Sequence, residues 1–596
     1  MIVKKKRQLI KSSLLVTTAI EGCLDESQSV VFLDRFCMQP GQELWQKLDY
    51  EFAPQYIIDL DQKKINYKYV NTLSDFLIIE LTDILNRIHG TSYTVRYWKI
   101  LLGTWVYRFV SILFNRWTSI QEAVNNCHIS KTIILDIPKE KLVPKDYLDF
   151  ARIYRMGYEW DHAVYGMILK DWTNVVCEIK DYDKDNNNVN QPLPTSSKRS
   201  VYRKFLKNIV GEIGALMGIF SRQTDGVLIA TYMSSKEAIK LQLALGQFPV
   251  YRATPPTPNV PLNFNYRKNL LSNTNKDTDF EIFARKLMSE QIPTCYLEGY
   301  AKLSKCAQEL NWPRTPKFIF TSNFFDGDEV FKIWAAEKTE AKIPYIIGQH
   351  GGHYGIGKFA FSERHEVDTC DRYLTWGWSD QSNKHFPVFM LKKPKKIANN
   401  FNGKLLLVER GSGNKEMPWD ETHLYERYCD DQLLFASLLP LKIQKNMVVR
   451  LYSSDLYVSC SEDIMWHKRH PNIVVDSGVK SIEKLVGSSR IVVHTYNGTG
   501  ILENMSQNVP VLIFWNKDYS EIRPSAKPYF DELESVGILH TSPDSIAKKV
   551  IEIWDNVENW WHQPSIQKVR VNFCSRYANN VKDRTDILKE AVISVK

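Results

Sequence analysis

Short apolar runs recur along this chain, and the stretches between them carry helical spacing. Ile491-Val-Val493 is a β-branched run, too short for a helix and free of charge, as a strand buried on both faces requires. Asn497-Gly-Thr-Gly500 follows with residues that accept positive φ. Residues 501–507 have helical composition, and 509–515 form a second apolar run. The pattern predicts strand, glycine turn, helix, strand.

The same rhythm appears elsewhere. Strands are expected over 14–18, 30–33, 226–231, 317–321, 344–348, 405–408, 447–452 and 472–475. Leu73, Leu77, Leu81, Leu85 and Ile88 mark one side of a helical region running from 72 to 117, with His89-Gly90 as a stop and an aromatic helix restarting near Arg96. Arg96 reads there as a salt-bridge partner rather than a catalytic group. Helices are expected over 236–245, 280–311 and 329–338, and the segment from 547 is helical with Trp554, Trp560 and Trp561. Residues 181–199, rich in Asn, Asp, Ser and Pro, read as a mobile polar loop.

Strands alternating with helices at this spacing predict doubly wound parallel sheets. The proline-containing basic run and Asn-rich stretch of 394–403 read as a linker, after which the alternation restarts. The expected fold is α/β and GT-B-like, two Rossmann-like domains facing across a cleft, with helical additions in the N-terminal half. Residues 1–395 would form the acceptor-side domain and 403–575 the nucleotide-sugar domain. The helix of 576–596 would cross back toward the first domain.

At 596 residues the chain exceeds one core, and 44% hydrophobic with 24% charged residues is ordinary for a soluble globular protein. The net charge of +9 is spread among acidic residues, without the basic stripe of a nucleic-acid polymer binder. It suits anionic substrates, or peripheral contact with an anionic membrane face. The ten cysteines form no CxxC pair and no zinc spacing, so they read as reduced cytosolic thiols, and no metal or cofactor is expected. Lys4-Lys-Lys-Arg7 leads into a stretch broken by Lys11, Ser12 and Ser13, without the apolar core or cleavage site of a signal peptide. A cytoplasmic protein, or one at the cytoplasmic face of the inner membrane, is expected.

The glycine turn after 491–493 would point backbone N–H groups, at the positive end of a helix, toward an anion such as phosphate. His494, Thr495, Asn497, Gly498, Thr499 and Gly500 line it. Glu503, one turn into the helix, can accept from sugar hydroxyls or reach back to cap the backbone near Gly500. Arg450 ends its strand in position to pair with a diphosphate, and Arg523 follows the 509–515 run at the same sheet edge. A second glycine loop, Gly348-Gln-His-Gly-Gly-His-Tyr-Gly355, carries His350 and His353 at a strand's carboxyl end, where a general base or phosphate contact belongs. Downstream, Glu363, His365, Glu366 and Asp368 form a charge cluster that reads mainly as a solvated face, with Glu363 as its candidate acid or base.

These blocks, with Arg96-Tyr-Trp98, Leu102-Gly103, Asn115-Arg-Trp117, Val449-Arg-Leu-Tyr452, Pro510-Val-Leu-Ile-Phe-Trp-Asn516 and Ser525-Ala-Lys-Pro-Tyr-Phe-Asp531, resemble the O-antigen transferase family of bacterial surface-carbohydrate clusters. Leu33-Asp-Arg-Phe-Cys37 departs from that family's Gly- and Trp-rich stretch. The resemblance implies a transferase. The layout is also similar to GT-B enzymes of capsule and lipopolysaccharide assembly, including those using CMP-linked 2-keto acid sugars. Gln349-His-Gly351 is similar to the His-Gly turn of teichoic-acid glycerophosphotransferases. The implied partners are a nucleotide-sugar donor and a glycan or lipid-linked acceptor. Two other readings stay open: a phosphotransferase using a CDP-alcohol, and a non-catalytic scaffold in polysaccharide assembly.

Overall fold

In the computed structural model, residues 13–38, 48–54, 60–182, 221–268, 270–272, 274–380, 382–411, 419, 425–452, 462–516 and 521–595 are described. Most of the predicted polar loop of 181–199, and Lys4 to Arg7, lie outside them.

The chain is α/β, and every strand pairing within its sheets is parallel. Among the described residues three sheets stand where two were expected. The first holds β1 (Ser13–Val16), β2 (Val30–Phe32), β3 (Tyr50–Phe52), β4 (Ile129–Asp136) and β5 (Val176–Asp181) in the order β3-β2-β1-β4-β5. The second holds β6 (Val227–Ile229), β7 (Ile319–Thr321), β8 (Tyr345–Gly348), β9 (Arg372–Thr375) and β10 (His385–Pro387), in simple succession. The third runs β13-β12-β11-β14-β15-β16, built from β11 (Lys404–Val408), β12 (Met447–Arg450), β13 (Val474–Asp476), β14 (Ser489–His494), β15 (Val511–Phe514) and β16 (Leu539–His540). Its winding reverses between β11 and β14, the switch point outside which doubly wound sheets bind ligands.

The additional sheet hid in polar sequence. β4 carries Ser130, Lys131 and Thr132 in its first half, and β5 is an exposed edge strand with Glu178 and Lys180, so neither reads as a buried run. The helix expected from 72 begins at Leu60 instead, because Lys63, Asn66 and Asn71 occupy its buried face and break the apolar period. This α1 (Leu60–His89) ends at Gly90, whose φ of +65° stops the helix as predicted. Thr94 then caps α2 (Val95–Asn126) by accepting from the Tyr97 N–H, and α2 runs through the hydrophobic interior with Trp98 and Trp105 fully buried. Arg96 pairs with Asp371 at 2.9 Å and donates to the Thr369 carbonyl, a structural tie. The predicted helix of 280–311 is two, Asp279–Gln291 and Tyr300–Gln308, separated by Pro293 and a 3-10 turn.

The final helix, Arg584–Ile593, packs on the helix Ser235–Ala244 beside the second sheet. Arg584 pairs there with Glu237 at 2.6 Å and donates to the carbonyls of Met390 and Leu391. Among the described residues no helix is long and apolar enough to cross a membrane.

Candidate functional site

The loop after β8 and the turn after β14 meet at one seam. Gly352 N–H donates to Thr499 Oγ1 at 3.0 Å. A Cβ on Gly352 would stand 2.7 Å from the backbone N and Cα of Thr499 and 2.9 Å from the carbonyl carbon of Gly498. The contact is backbone against backbone, and only glycine permits it. Gly498 is the N-cap of the helix Thr499–Ser506, so the seam lies at the positive end of that helix and beside the β11/β14 switch point.

The β8 loop is held from beneath by Gln349, which has no exposed surface. Its Oε1 accepts from Trp376 N–H at 2.9 Å and Trp378 Nε1 at 2.8 Å, and its Nε2 donates to the Gly351 carbonyl. Gly355, at φ +72°, lies against the Trp378 indole where a Cβ would clash at 2.4 Å. The loop is therefore rigidly posed despite its glycines.

His350 stands in this loop, edged by the rings of Phe325, Tyr354 and Tyr232. Nε2 lies 3.2 Å from Tyr354 Oη; with that hydroxyl's single proton directed to Glu366, Nε2–H is the donor of the pair. Nδ1 is sealed from solvent and faces Glu366 Oε2 at 3.7 Å. Burial, with the neighbouring His353 adding to it, lowers the His350 pKa to about 4, so the ring is neutral at pH 7. Glu366 has no exposed surface and accepts from Tyr354 Oη at 2.7 Å and Tyr373 Oη at 3.0 Å. Burial raises its pKa well above the ordinary carboxyl value. His353 is exposed at the seam, its ring 4.2 Å from that of Tyr354.

The predicted solvated face of 363–368 is largely interior. The helix Phe361–Thr369 turns Glu366 toward His350 and His365 against Gly103, whose missing side chain makes room for the imidazole. Glu363 faces Arg523 at 3.0 Å and accepts from the Gly355 N–H. Burial raises the Glu363 pKa while Arg523 pulls against it. Arg523 also pairs with Asp380 at 3.1 Å and donates to the Gly357 carbonyl. Residues 521–523 run antiparallel to 356–358, with Lys358 N–H donating to Glu521 O and Arg523 N–H to Ile356 O, both at 2.9 Å. Glu521 in turn holds Lys63 of α1 at 2.8 Å.

The remaining candidates divide by position. Asn497, Gly498, Thr499 and Gly500 are half-buried along the seam. Glu503 meets Lys392 at 2.9 Å across it. His494 lies beneath the turn: Nε2 accepts from Asn504 Nδ2 at 2.9 Å, its ring fills the space a Gly500 Cβ would take, and burial lowers its pKa to about 3. Thr495 is also inward, donating to the Val408 carbonyl and meeting Tyr428 Oη. Arg450 ends β12, two strands from β14, and is ion-paired to Asp476. The seam thus gathers His350, His353, Gly498, Thr499 and Glu503, with Glu363 and Arg523 bracing the loop from the side. Arg450 stands apart.

Sequence reading passed over Tyr354 and Lys392 and ranked Glu366 below Glu363. The three-residue spacing of Glu363 and Glu366 on a helix was the available signal for two carboxylates on one side. Glu409 was missed as well. It follows β11 at the switch point, buried and accepting from Trp466 Nε1 at 3.2 Å. Burial, reinforced by Glu462, raises its pKa from 4.5 to about 8. The folded chain therefore holds a proton that the unfolded chain releases between those values, and stability falls as pH rises through that window. Glu409→Gln keeps the acceptor and removes the penalty. It should be more stable than the parent by roughly 3 kcal/mol at pH 7, with the difference gone below pH 4.5, by urea unfolding. Equal stabilities at pH 7 would show that Glu409 is not held protonated.

Among the described residues no group of three His, Cys, Asp or Glu side chains could hold a metal ion.

No curated protein compared matches the chain. Among solved structures, MurG of Acinetobacter baumannii is similar over 62% of this chain and 99% of its own, at 10% identity and a TM-score of 0.32. The spinosyn rhamnosyltransferase SpnG, complexed with spinosyn aglycone, is similar over 47% of this chain and 72% of its own, at 11% identity and a TM-score of 0.27. The N-terminal domain of Candida albicans trehalose-6-phosphate phosphatase covers 78% of this chain and 96% of its own, at 10% identity and a TM-score of 0.31. Likenesses this distant carry no argument about activity. The family model described as LIC12162 family transferase matches residues 13–592. The chain belongs to that family, and it is a family of transferases.

Proposed function

We propose that this transferase is a GT-B-type glycosyltransferase that moves a sugar from a nucleotide-activated donor to a surface-glycan acceptor, as in O-antigen or capsule synthesis. The observation that carries the reading is the Gly352–Thr499 contact, which puts two strand-end glycine turns from different sheets face to face. The donor phosphate would sit at this seam, on the backbone N–H groups of the Gly498–Gly500 turn and the helix end behind them. Glu503 would accept from hydroxyls of the ribose or sugar. His350 would take the proton of the acceptor hydroxyl through Nε2, because Nδ1 is sealed against Glu366; the ring's own proton would then sit on Nδ1 and the acceptor hydroxyl would replace Tyr354 Oη at Nε2. Positioning, together with fixed dipoles facing the departing phosphate, would supply most of the rate. The acceptor would be a glycan or a lipid-linked sugar, met at the cytoplasmic face of the inner membrane.

Calorimetric titration with UDP, GDP, CDP and CMP and their sugar conjugates tests this directly. Binding of one conjugate, followed by formation of a glycosidic bond, is expected. Absence of any binding, or a phosphodiester product, would overturn the reading. Gly352→Ala adds a methyl against backbone that cannot rotate aside, so the seam must open by about 1 Å, and kcat/KM should fall on the order of 100-fold. An unchanged kcat/KM would remove the seam from the reaction.

A further inference from the structure

Past the carboxyl end of β6, Ala230 has φ +46° and Tyr232 has φ +63°. Two non-glycine residues in the left-handed region within three positions hold strain on the order of 1–3 kcal/mol each. The turn persists because the next strand dictates it: Ser322, fully buried after β7, donates its N–H to Ala230 O at 3.0 Å and its hydroxyl to Thr231 O at 3.2 Å. The strain does not bury Tyr232, which is 39% exposed. What it does achieve is placement. The ring stands 5.9 Å from that of His350, edge to face.

Lys392 comes to the same point from the chain after β10. Its ammonium reaches Glu503 Oε1 at 2.9 Å and lies within the electrostatic reach of Tyr232. A half-exposed ion pair of this kind contributes about 0–1 kcal/mol to stability, so folding gives little reason for it. The aromatic ring beside His350 thus has an ammonium and a carboxylate in its electrostatic neighbourhood, the three side chains coming from separate segments.

We propose that Tyr232 and Lys392 form, with Glu503, the subsite for the sugar ring that is transferred. A pyranose offers an apolar C–H face, which suits an exposed aromatic ring. Its adjacent hydroxyls both donate and accept, which suits a carboxylate and an ammonium side by side. Paired with each other, Glu503 and Lys392 offer a phosphate no net positive charge, which leaves the phosphate to the amide-lined turn. This inference rests on the glycosyl-transfer reading and specifies where that reaction's sugar lies.

The test uses the full chain and the nucleotide whose sugar conjugate gives the largest thermal shift among the UDP, GDP, CDP and CMP series. Calorimetry then compares nucleotide with conjugate in the parent, Tyr232→Ala, Tyr232→Phe and Lys392→Met. The parent should bind the conjugate more tightly than the bare nucleotide. Tyr232→Ala and Lys392→Met should each weaken the conjugate about tenfold while leaving the nucleotide within about twofold. Tyr232→Phe keeps the ring face and should bind like the parent. If both substitutions leave the conjugate's advantage intact, or the parent shows none, the subsite is overturned while nucleotide recognition stands. If nothing in the series binds the parent, the glycosyl-transfer reading falls and takes the subsite with it.

Discussion

His350→Gln should lower kcat by about 10³- to 10⁴-fold with KM changed little, as expected for loss of a positioned general base and its alignment. The side chain is set by its surroundings rather than by the loop's glycines. Tyr354 meets Nε2, Glu366 faces Nδ1, and both tyrosines that bond to Glu366 come from fully buried positions. With its pKa near 4 the imidazole is already neutral at pH 6, so kcat/KM should be flat from pH 6 to 8 and fall only in acid. Glu366→Gln keeps the shape and the two tyrosine contacts, but an amide no longer prefers a proton on Nδ1. Glu366 acts through His350 as a positioning residue, so its loss should reduce kcat about 100-fold with KM changed little. A kcat unchanged in Glu366→Gln would assign Glu366 to stability alone. Full activity in His350→Gln would end the base assignment.

What the sequence made legible follows from where the physics is local. The β14 run and its glycine turn were readable because an uncharged β-branched run followed by closely spaced glycines leaves a signature within a dozen positions, although the expected positive φ is absent there and Gly498 is extended at φ −145°. The β8 loop was readable for the same reason. The roles inside those segments were not. His494 ends the strand that Thr499 follows, yet the pleat turns it under the turn toward Asn504. Arg450 ends a strand facing the same edge, but Asp476 on the neighbouring strand takes its charge, and strand order is not visible in spacing.

The partners of the seam were the least legible part. Tyr232 follows a three-residue strand with no motif around it, and its exposure depends on a turn imposed by Ser322, ninety residues later. Lys392 lies just before the 394–403 stretch that reads as linker, and nothing marks it until Glu503 is found opposite it. The first sheet was underestimated because β4 opens on Ser130, Lys131 and Thr132, and the edge strand β5 carries Glu178 and Lys180 on accessible faces. Local pattern identified the elements that hold the site, whereas cross-chain contact chose which side chains enter it.

Arg523→Ala should destabilise the protein by about 3–5 kcal/mol, since it strips the cation from a mostly buried pair and leaves Glu363 without compensation. The same guanidinium bonds to Asp380 and the Gly357 carbonyl, so one truncation also releases the 356–358 segment from 521–523. The deficit should depend on pH in a definite direction. In the parent, burial already raises the Glu363 pKa and Arg523 restrains it. Without the arginine the folded-state pKa rises further above the unfolded value, so the folded chain binds the proton more tightly than the unfolded chain. Stability of the variant is then lost progressively as pH rises above the unfolded carboxyl pKa, and the gap to the parent is widest at pH 8 and narrows toward pH 5. Arg523→Lys retains a charge but cannot span two carboxylates and a carbonyl, and it should fall between the two. Urea unfolding across that range measures all three proteins. A gap below about 1 kcal/mol would mean the pair is effectively solvated, and a gap independent of pH would mean that Glu363 is not the group left unpaired. Because the β8 loop carries His350 and Gly352, the same variant should also lose nucleotide affinity, tying the stability of this brace to the geometry of the seam.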